Sequence, residues 1–248
     1  MFMVIPIESI YKLTAFFIDF ICGIWLYCAY VKKGRSAENL KSLFIFFVLM
    51  STYELFAAAG MLLLTLDVAE VSVPLYNASY IIAYLLLFFA YAELISVAMR
   101  SYFETAELVI NARKYYQAII VIFGLVIIIV SAFYQAKPSF DHETFLISAN
   151  HDPFVYRMMV AMILISMVPP SLLLVGRSFF AKENTRAYVI MGAGVGLSLV
   201  GQLLNNNLGS TFYVMIADAA AIMGLIMLFY GANLTDAFCR HRINLIKK

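Results

Sequence analysis

Seven apolar stretches, each long enough to cross a bilayer, occupy almost the whole chain. A spanning helix needs about 20 predominantly apolar residues, and the stretches lie at 11–31, 42–65, 74–99, 115–135, 155–177, 187–206 and 211–235. Backbone groups find no water inside a bilayer, so only helices and closed barrels satisfy their hydrogen bonds there. Unbroken apolar runs of this length select helices. Composition agrees, with 64% hydrophobic and 13% charged residues, against about half and about a quarter in soluble domains. The fold class that follows is an all-α integral membrane protein, a seven-transmembrane-helix bundle forming one domain over 1–248. The longest connection, 136–154, is too short to fold alone.

The net charge of +2 says little and gives no ground for a nucleic-acid partner, but its distribution is informative. Lys32, Lys33, Arg35 and Lys41 follow the first helix, and Arg100, Arg113 and Lys114 follow the third. Arg177, Lys182 and Arg186 follow the fifth, and Arg240, Arg242, Lys247 and Lys248 follow the seventh. Only Lys12, Lys137 and Arg157 fall on the other side. Positive charge resists translocation, which predicts an N-terminus outside and a C-terminus in the cytoplasm. The opposite face carries Glu8, Asp67, Glu70, Asp141, Glu143 and Asp152. The first segment has a basic stop after it and no small-residue cleavage site, so it reads as an anchor rather than a cleaved signal. Short loops fit a prokaryotic plasma membrane.

Cys22 and Cys28 lie in the first helix and Cys239 at the cytoplasmic end of the last, so no outer-face disulfide is expected. Cys239 reads as a plain thiol, with palmitoylation beside Arg240 as the alternative.

A faint repeat is present. Gly34-Arg35-Ser36 after the first helix is echoed by Gly176-Arg177-Ser178 after the fifth. Phe89-Ala90-Tyr91 and Arg100 are echoed by Phe229-Tyr230-Gly231 and Arg240. Two three-helix units, 11–99 and 155–240, joined by a linker helix at 115–135, would explain both matches, as in repeat-built transporters; chance likeness of basic-ended apolar helices is the plainer account.

In topology the chain resembles seven-helix opsins, G-protein-coupled receptors and small three-plus-one-plus-three carriers. The motifs of those families are missing: no Asp-Arg-Tyr ends the third helix, no Asn-Pro-x-x-Tyr sits in the seventh and no Pro-Gln pair marks the loops. Retinal needs a lysine inside the bilayer, and every Lys reads as a helix-end or loop residue; Ile222 stands where an opsin would carry it, four residues after Asp218. Buried bis-histidine haem needs imidazoles at depth, whereas His142, His151 and His241 all read as extramembrane. No cofactor is expected.

Three acids are the strongest site candidates. Asp19, Glu54 and Asp218 stand inside apolar segments, where an unpaired charge costs several kcal/mol. With no basic residue expected at depth, they should be protonated or hold a cation or polar ligand. Tyr53, Tyr84, Ser198, Gln202 and Asn205 are polar side chains at outer-half depth, and Gln202 is taken with the acids as a site candidate. The group reads as a proton, cation or small-ligand site open to the outside, or as neutral packing contacts between helices.

Other features are weaker. His142 and His151, with Asp141, Glu143 and Asp152, form a loose metal-ligand set of no established spacing; a solvated loop is the plainer account. Gly192-Ala193-Gly194-Val195-Gly196 follows no strand, so it is not a nucleotide fingerprint. Gly192 with Gly196, and Ala217 with Ala221, make small faces for close helix packing. Pro169-Pro170 should bend the fifth helix and free carbonyls for a site, a hinge or a static kink. The segment from Arg100 to Tyr116 suits a short interfacial helix. Asn77-Ala78-Ser79 fits a glycosylation sequon close to the membrane.

No nucleophile elbow, zincin helix or phosphate loop is present, so no enzyme is expected. A receptor-like sensor module or a subunit of a larger membrane complex fits best, with a protein partner at the cytoplasmic face or in the membrane. A small-solute or proton-coupled carrier is the alternative.

Overall fold

The computed structural model describes residues 5–33, 38–65, 69–103, 107–141, 143, 145–148, 150–181, 184–205 and 211–246. Seven helices follow in order: α1 (Ile7–Lys33), α2 (Glu38–Leu63), α3 (Ala69–Tyr102), α4 (Glu107–Phe133), α5 (Pro153–Ser178), α6 (Thr185–Asn205) and α7 (Thr211–Ile246). All seven are long and apolar enough to cross a membrane. The chain is a multi-pass membrane protein in contact with lipid. Outward-facing Phe17, Ile21 and Trp25 on α1, and Ile122, Ile129 and Phe133 on α4, provide that contact.

The helices exceed the expected spans, for a physical reason. Helices extend past the hydrocarbon core until a cap or breaker stops them. At α5, Asp152 is the cap: its side chain accepts the Phe154 N–H at 2.8 Å, with Pro153 in the first turn. The interfacial helix expected between Arg100 and Tyr116 is not a separate element, because α3 runs to Tyr102 and α4 begins at Glu107.

Consecutive helices pack against each other, and α3 also meets α5 while α1 meets α7. α3 is the central helix: 61% of its apolar window is buried inside the protein, against 17% for α4 on the periphery. Phe46, Phe47, Tyr91, Leu94, Ile95 and Met162 build the core between α2, α3 and α5.

The small residues set how closely α6 approaches its neighbours. A Cβ on Gly192 would stand 2.6 Å from Val175 Cγ2 and 2.9 Å from the Ser171 carbonyl, so this face of α6 lies on α5. A Cβ on Gly201 would stand 2.5 Å from the Ala217 carbonyl and 2.7 Å from the Ala221 amide, so the other face lies on α7. Both small faces therefore pack within the chain. The Ser171 hydroxyl donates to the Gly192 carbonyl at 2.8 Å and the Ser198 hydroxyl to the Ala221 carbonyl at 3.0 Å.

Pro169 lacks the N–H that would bond the carbonyl of Ile165. The Tyr116 hydroxyl of α4 donates to that carbonyl at 2.6 Å. One freed carbonyl of the Pro169-Pro170 pair is thus used as a helix–helix tie.

The connection between α4 and α5 is not a plain solvated loop. Ser139–Asp141 (β1) and Leu146–Ser148 (β2) pair antiparallel, with Phe140 opposite Ile147. The bend residue Phe145 has φ 56°. The hairpin is tied to α1 twice: the Ile7 N–H donates to the Phe145 carbonyl at 3.1 Å, and the Ile147 N–H to Glu8 Oε1 at 3.1 Å. Asn77 is not a surface sequon. It is buried within α3, and its amide donates to the carbonyls of Val73 and Ala136, both at 3.1 Å.

Candidate functional site

A cavity of about 720 Å³ opens in the bundle at the hairpin end. Its walls come from α1, α2, α3, α5, α6 and α7 and from the hairpin. The size lies within the usual range for small-molecule pockets, about 300–1,000 Å³.

Helix periodicity explains how α1 reaches it. Glu8, Lys12, Ala15, Asp19, Cys22, Leu26 and Ala29 recur at spacings of three and four, which places them on one face. Apart from Lys12, which is part-buried, all of these residues are buried. The stripe is polar toward the hairpin and apolar beyond Asp19. Glu8 and Lys12 line the cavity.

Lys12 overturns the expectation that no basic residue is available to the deep acids. Its Nζ lies 2.9 Å from Glu54 Oε2, with the two side chains 15% and 7% exposed. It also lies 3.5 Å from the Tyr53 hydroxyl and 5.0 Å from the centroid of that ring. Lys12 is not a helix-end residue, because α1 begins at Ile7 rather than 11. At 1.5 Å per residue it stands about 7.5 Å along the helix. Placement alone therefore no longer excludes a Schiff-base lysine here; Ile222 still occupies the opsin-like position on α7.

Of the four expected site residues, Glu54, Gln202 and Asp218 share the cavity lining. The Tyr91 hydroxyl donates to Gln202 Oε1, fixing the amide between α3 and α6. Asp218 lies on α7 within Coulombic reach of Lys12. Asp19 is set apart: it is not in the lining and is fully buried, and neither carboxyl oxygen has a hydrogen-bond partner among the described residues. It stands about 18 Å along α1, near mid-bundle, within Coulombic reach of Glu54 and Lys12. A carboxylate at that depth with no hydrogen-bond partner is costly.

The aromatic wall is not singled out as a unit by the sequence analysis. Tyr76, Tyr80 and Tyr84 recur every four residues on α3 and all line the cavity. Successive ring centroids are 4.4 Å and 5.7 Å apart. Only Tyr84 figured among the polar residues read from sequence. The i, i+4, i+8 spacing was the available signal, masked by the abundance of tyrosine at helix ends.

At the mouth, His151 lines the cavity, and burial lowers its pKa, leaving the imidazole neutral at pH 7. His142, its proposed companion in a metal set, lies outside the described residues, as does the side chain of Cys239. Among the described residues, no three His, Cys, Asp or Glu side chains are grouped closely enough to hold a metal ion.

Comparisons with family models, curated proteins and solved structures return no match for this chain.

Proposed function

We propose that this protein is a receptor-like binding module of the membrane that takes a small molecule into the cavity at its hairpin end and does no chemistry on it. The observation that carries the proposal is the cavity itself: about 720 Å³, reached by six of the seven helices, with an ion pair in its wall. Binding there touches nearly every helix, so occupancy biases the packing of the whole bundle, which is what a sensor or a complex subunit requires. The distribution of Lys and Arg supports placing the hairpin end outside and a protein partner at the basic cytoplasmic face.

The test is thermal unfolding of the purified protein in detergent across a panel of small molecules. A ligand at 100 times its Kd stabilises the folded state by about 2.7 kcal/mol. Saturable stabilisation that disappears on filling the cavity with Ser198→Leu is expected. Stabilisation untouched by that change would place binding elsewhere.

Asp19 favours a second reading, a small-solute or proton-coupled carrier. Below an outward-opening cavity it offers a second, deeper station for a proton or cation. Uptake into vesicles that is lost or loses its pH dependence in Asp19→Asn supports a carrier. Unchanged uptake removes that reading.

A further inference from the structure

We propose that the groove between α2 and α4, at the end of the bundle opposite the hairpin, binds one anionic phospholipid. An acyl chain lies in the groove along α3, and the phosphate sits between Arg100 and Arg113. This site stands apart from the cavity at the hairpin end and faces the other leaflet.

The groove measures about 440 Å³ and is walled by α2 and α4, which both pack on α3. Ile45 and Leu49 line it on α2, Phe89 and Glu93 on α3, and Ala118 and Val121 on α4. It is open to the bilayer, with Phe89 42% exposed. Gln117 fixes the α4 wall, its amide donating to the Ala92 carbonyl at 2.9 Å.

Helix periodicity leads each wall to a cation. Lys41, Ile45 and Leu49 recur every four residues on α2, and Lys114 stands four before Ala118 on α4. On α3, Phe89, Glu93 and Arg100 share a face at spacings of four and seven. At 1.5 Å per residue, Lys41 and Lys114 lie about 6 Å beyond the groove and Arg100 about 10 Å beyond Glu93. The Arg100 guanidinium donates to the Glu38 carbonyl at 3.0 Å and to Ser42 Oγ at 3.2 Å, so the ends of α2 and α3 meet here. Arg113 of α4 is within Coulombic reach of Arg100. Its Nε is buried and has no hydrogen-bond partner among the described residues.

Guanidinium groups stay protonated in proteins, so their sign does not depend on burial. Like charges held together at a lipid boundary are relieved by an anion between them. Arginine meets phosphate with two parallel N–H bonds, and basic pockets between helix ends bind anionic headgroups. Glu38 and Glu93 oppose this set. Glu38 Oε2 lies 3.6 Å from Arg100, but its side chain is 54% exposed, and so exposed a pair yields to phosphate at little cost. Glu93 lies deeper, beside the chain rather than the headgroup. The apolar groove beyond the cations distinguishes a lipid from a free anion.

The probes are dioleoyl phosphatidylglycerol, dioleoyl phosphatidylcholine and inorganic phosphate, each added to the delipidated full chain in neutral detergent. Native mass spectrometry counts bound lipid, and thermal unfolding reports stabilisation. One phosphatidylglycerol per chain should be retained and should raise the midpoint. Phosphatidylcholine should bind about tenfold more weakly, and phosphate should have no effect. Arg113→Gln, which removes a charge, and Ala118→Trp, which fills the groove, should each weaken phosphatidylglycerol by about fivefold. Lys137→Gln, which removes a charge at the hairpin end, should leave it unchanged. Each variant is first shown to be helical by circular dichroism. Equal retention of the two lipids overturns the proposal, because the chain alone is then recognised. Stabilisation by phosphate equal to that by phosphatidylglycerol overturns it too, because the groove then plays no part. Phosphatidylglycerol binding that survives both Arg113→Gln and Ala118→Trp places the lipid elsewhere and overturns it. Absence of selective lipid retention also overturns it, and a polypeptide cross-linked from position 118 in native membranes would then give the groove to a partner helix.

Discussion

Replacing Lys12 by Met removes one half of the buried pair and strands Glu54. At 2.9 Å, an effective dielectric of about 20 gives a Coulomb attraction of about 6 kcal/mol. Desolvation of both groups offsets much of it, and losing one partner of such a pair typically costs about 3–5 kcal/mol. Protonation limits the loss. Neutralising a glutamate of ordinary titration at pH 7 costs about 3.7 kcal/mol, and at pH 5 only about 1 kcal/mol. Lys12→Met should therefore destabilise the protein by about 3 kcal/mol at pH 7 and by much less at pH 5. Glu54→Gln should cost a similar amount at pH 7, because it strands the ammonium. The double variant buries no uncompensated charge and should fall within about 1 kcal/mol of the parent. Unfolding in mixed micelles, followed by far-ultraviolet circular dichroism, measures all four proteins. A coupling energy of about 2 kcal/mol or more is expected. Additive single losses would refute the pair as an energetic unit.

The tie between α4 and α5 gives a second cycle. Tyr116→Phe leaves the Ile165 carbonyl unbonded and should cost about 1 kcal/mol, a loss that shrinks in the Pro169→Ala background because the helix then supplies its own N–H. Gly201→Val places side-chain atoms where the Ala217 carbonyl and Ala221 amide already stand, so it should separate α6 from α7 and lower the midpoint by several degrees; an unchanged midpoint would contradict the close approach. The lowered pKa of His151 means that the folded state favours neutral imidazole. Stability from this source is present above its unfolded-state pKa of about 6.5 and is lost as pH falls below it. His151→Gln should flatten that part of the stability profile between pH 7 and pH 5, and an identical profile would show that His151 does not contribute to it.

How far the sequence speaks depends on the kind of interaction. Spanning helices announce themselves, because a bilayer demands length and apolarity that composition records directly. The acids were legible for the same reason: Glu54 and Asp218 stand out against apolar neighbours, and both line the cavity. Lys12 was not, because a charge near the end of an apolar run reads as a boundary. The decisive fact is tertiary. The helix starts earlier, at Ile7, and its polar stripe turns inward to meet α2. The heptad spacing from Lys12 to Asp19 was visible in the sequence but had no partner to give it meaning. The tyrosine wall and the hairpin over α1 likewise depend on which helices become neighbours, and Phe145 carries a left-handed backbone without the glycine that usually signals one.

A small molecule that enters the cavity from the outer side, as proposed, requires the cavity wall to be reachable from outside the cell. Met159 lines the cavity on α5, about 9 Å from the start of the helix. With Cys22, Cys28 and Cys239 replaced by Ala, Met159→Cys can be challenged in intact cells with membrane-impermeant thiol reagents of opposite charge. Modification from outside by reagents of either charge is the predicted result. Modification only after the cytoplasmic face is opened would contradict the outward opening.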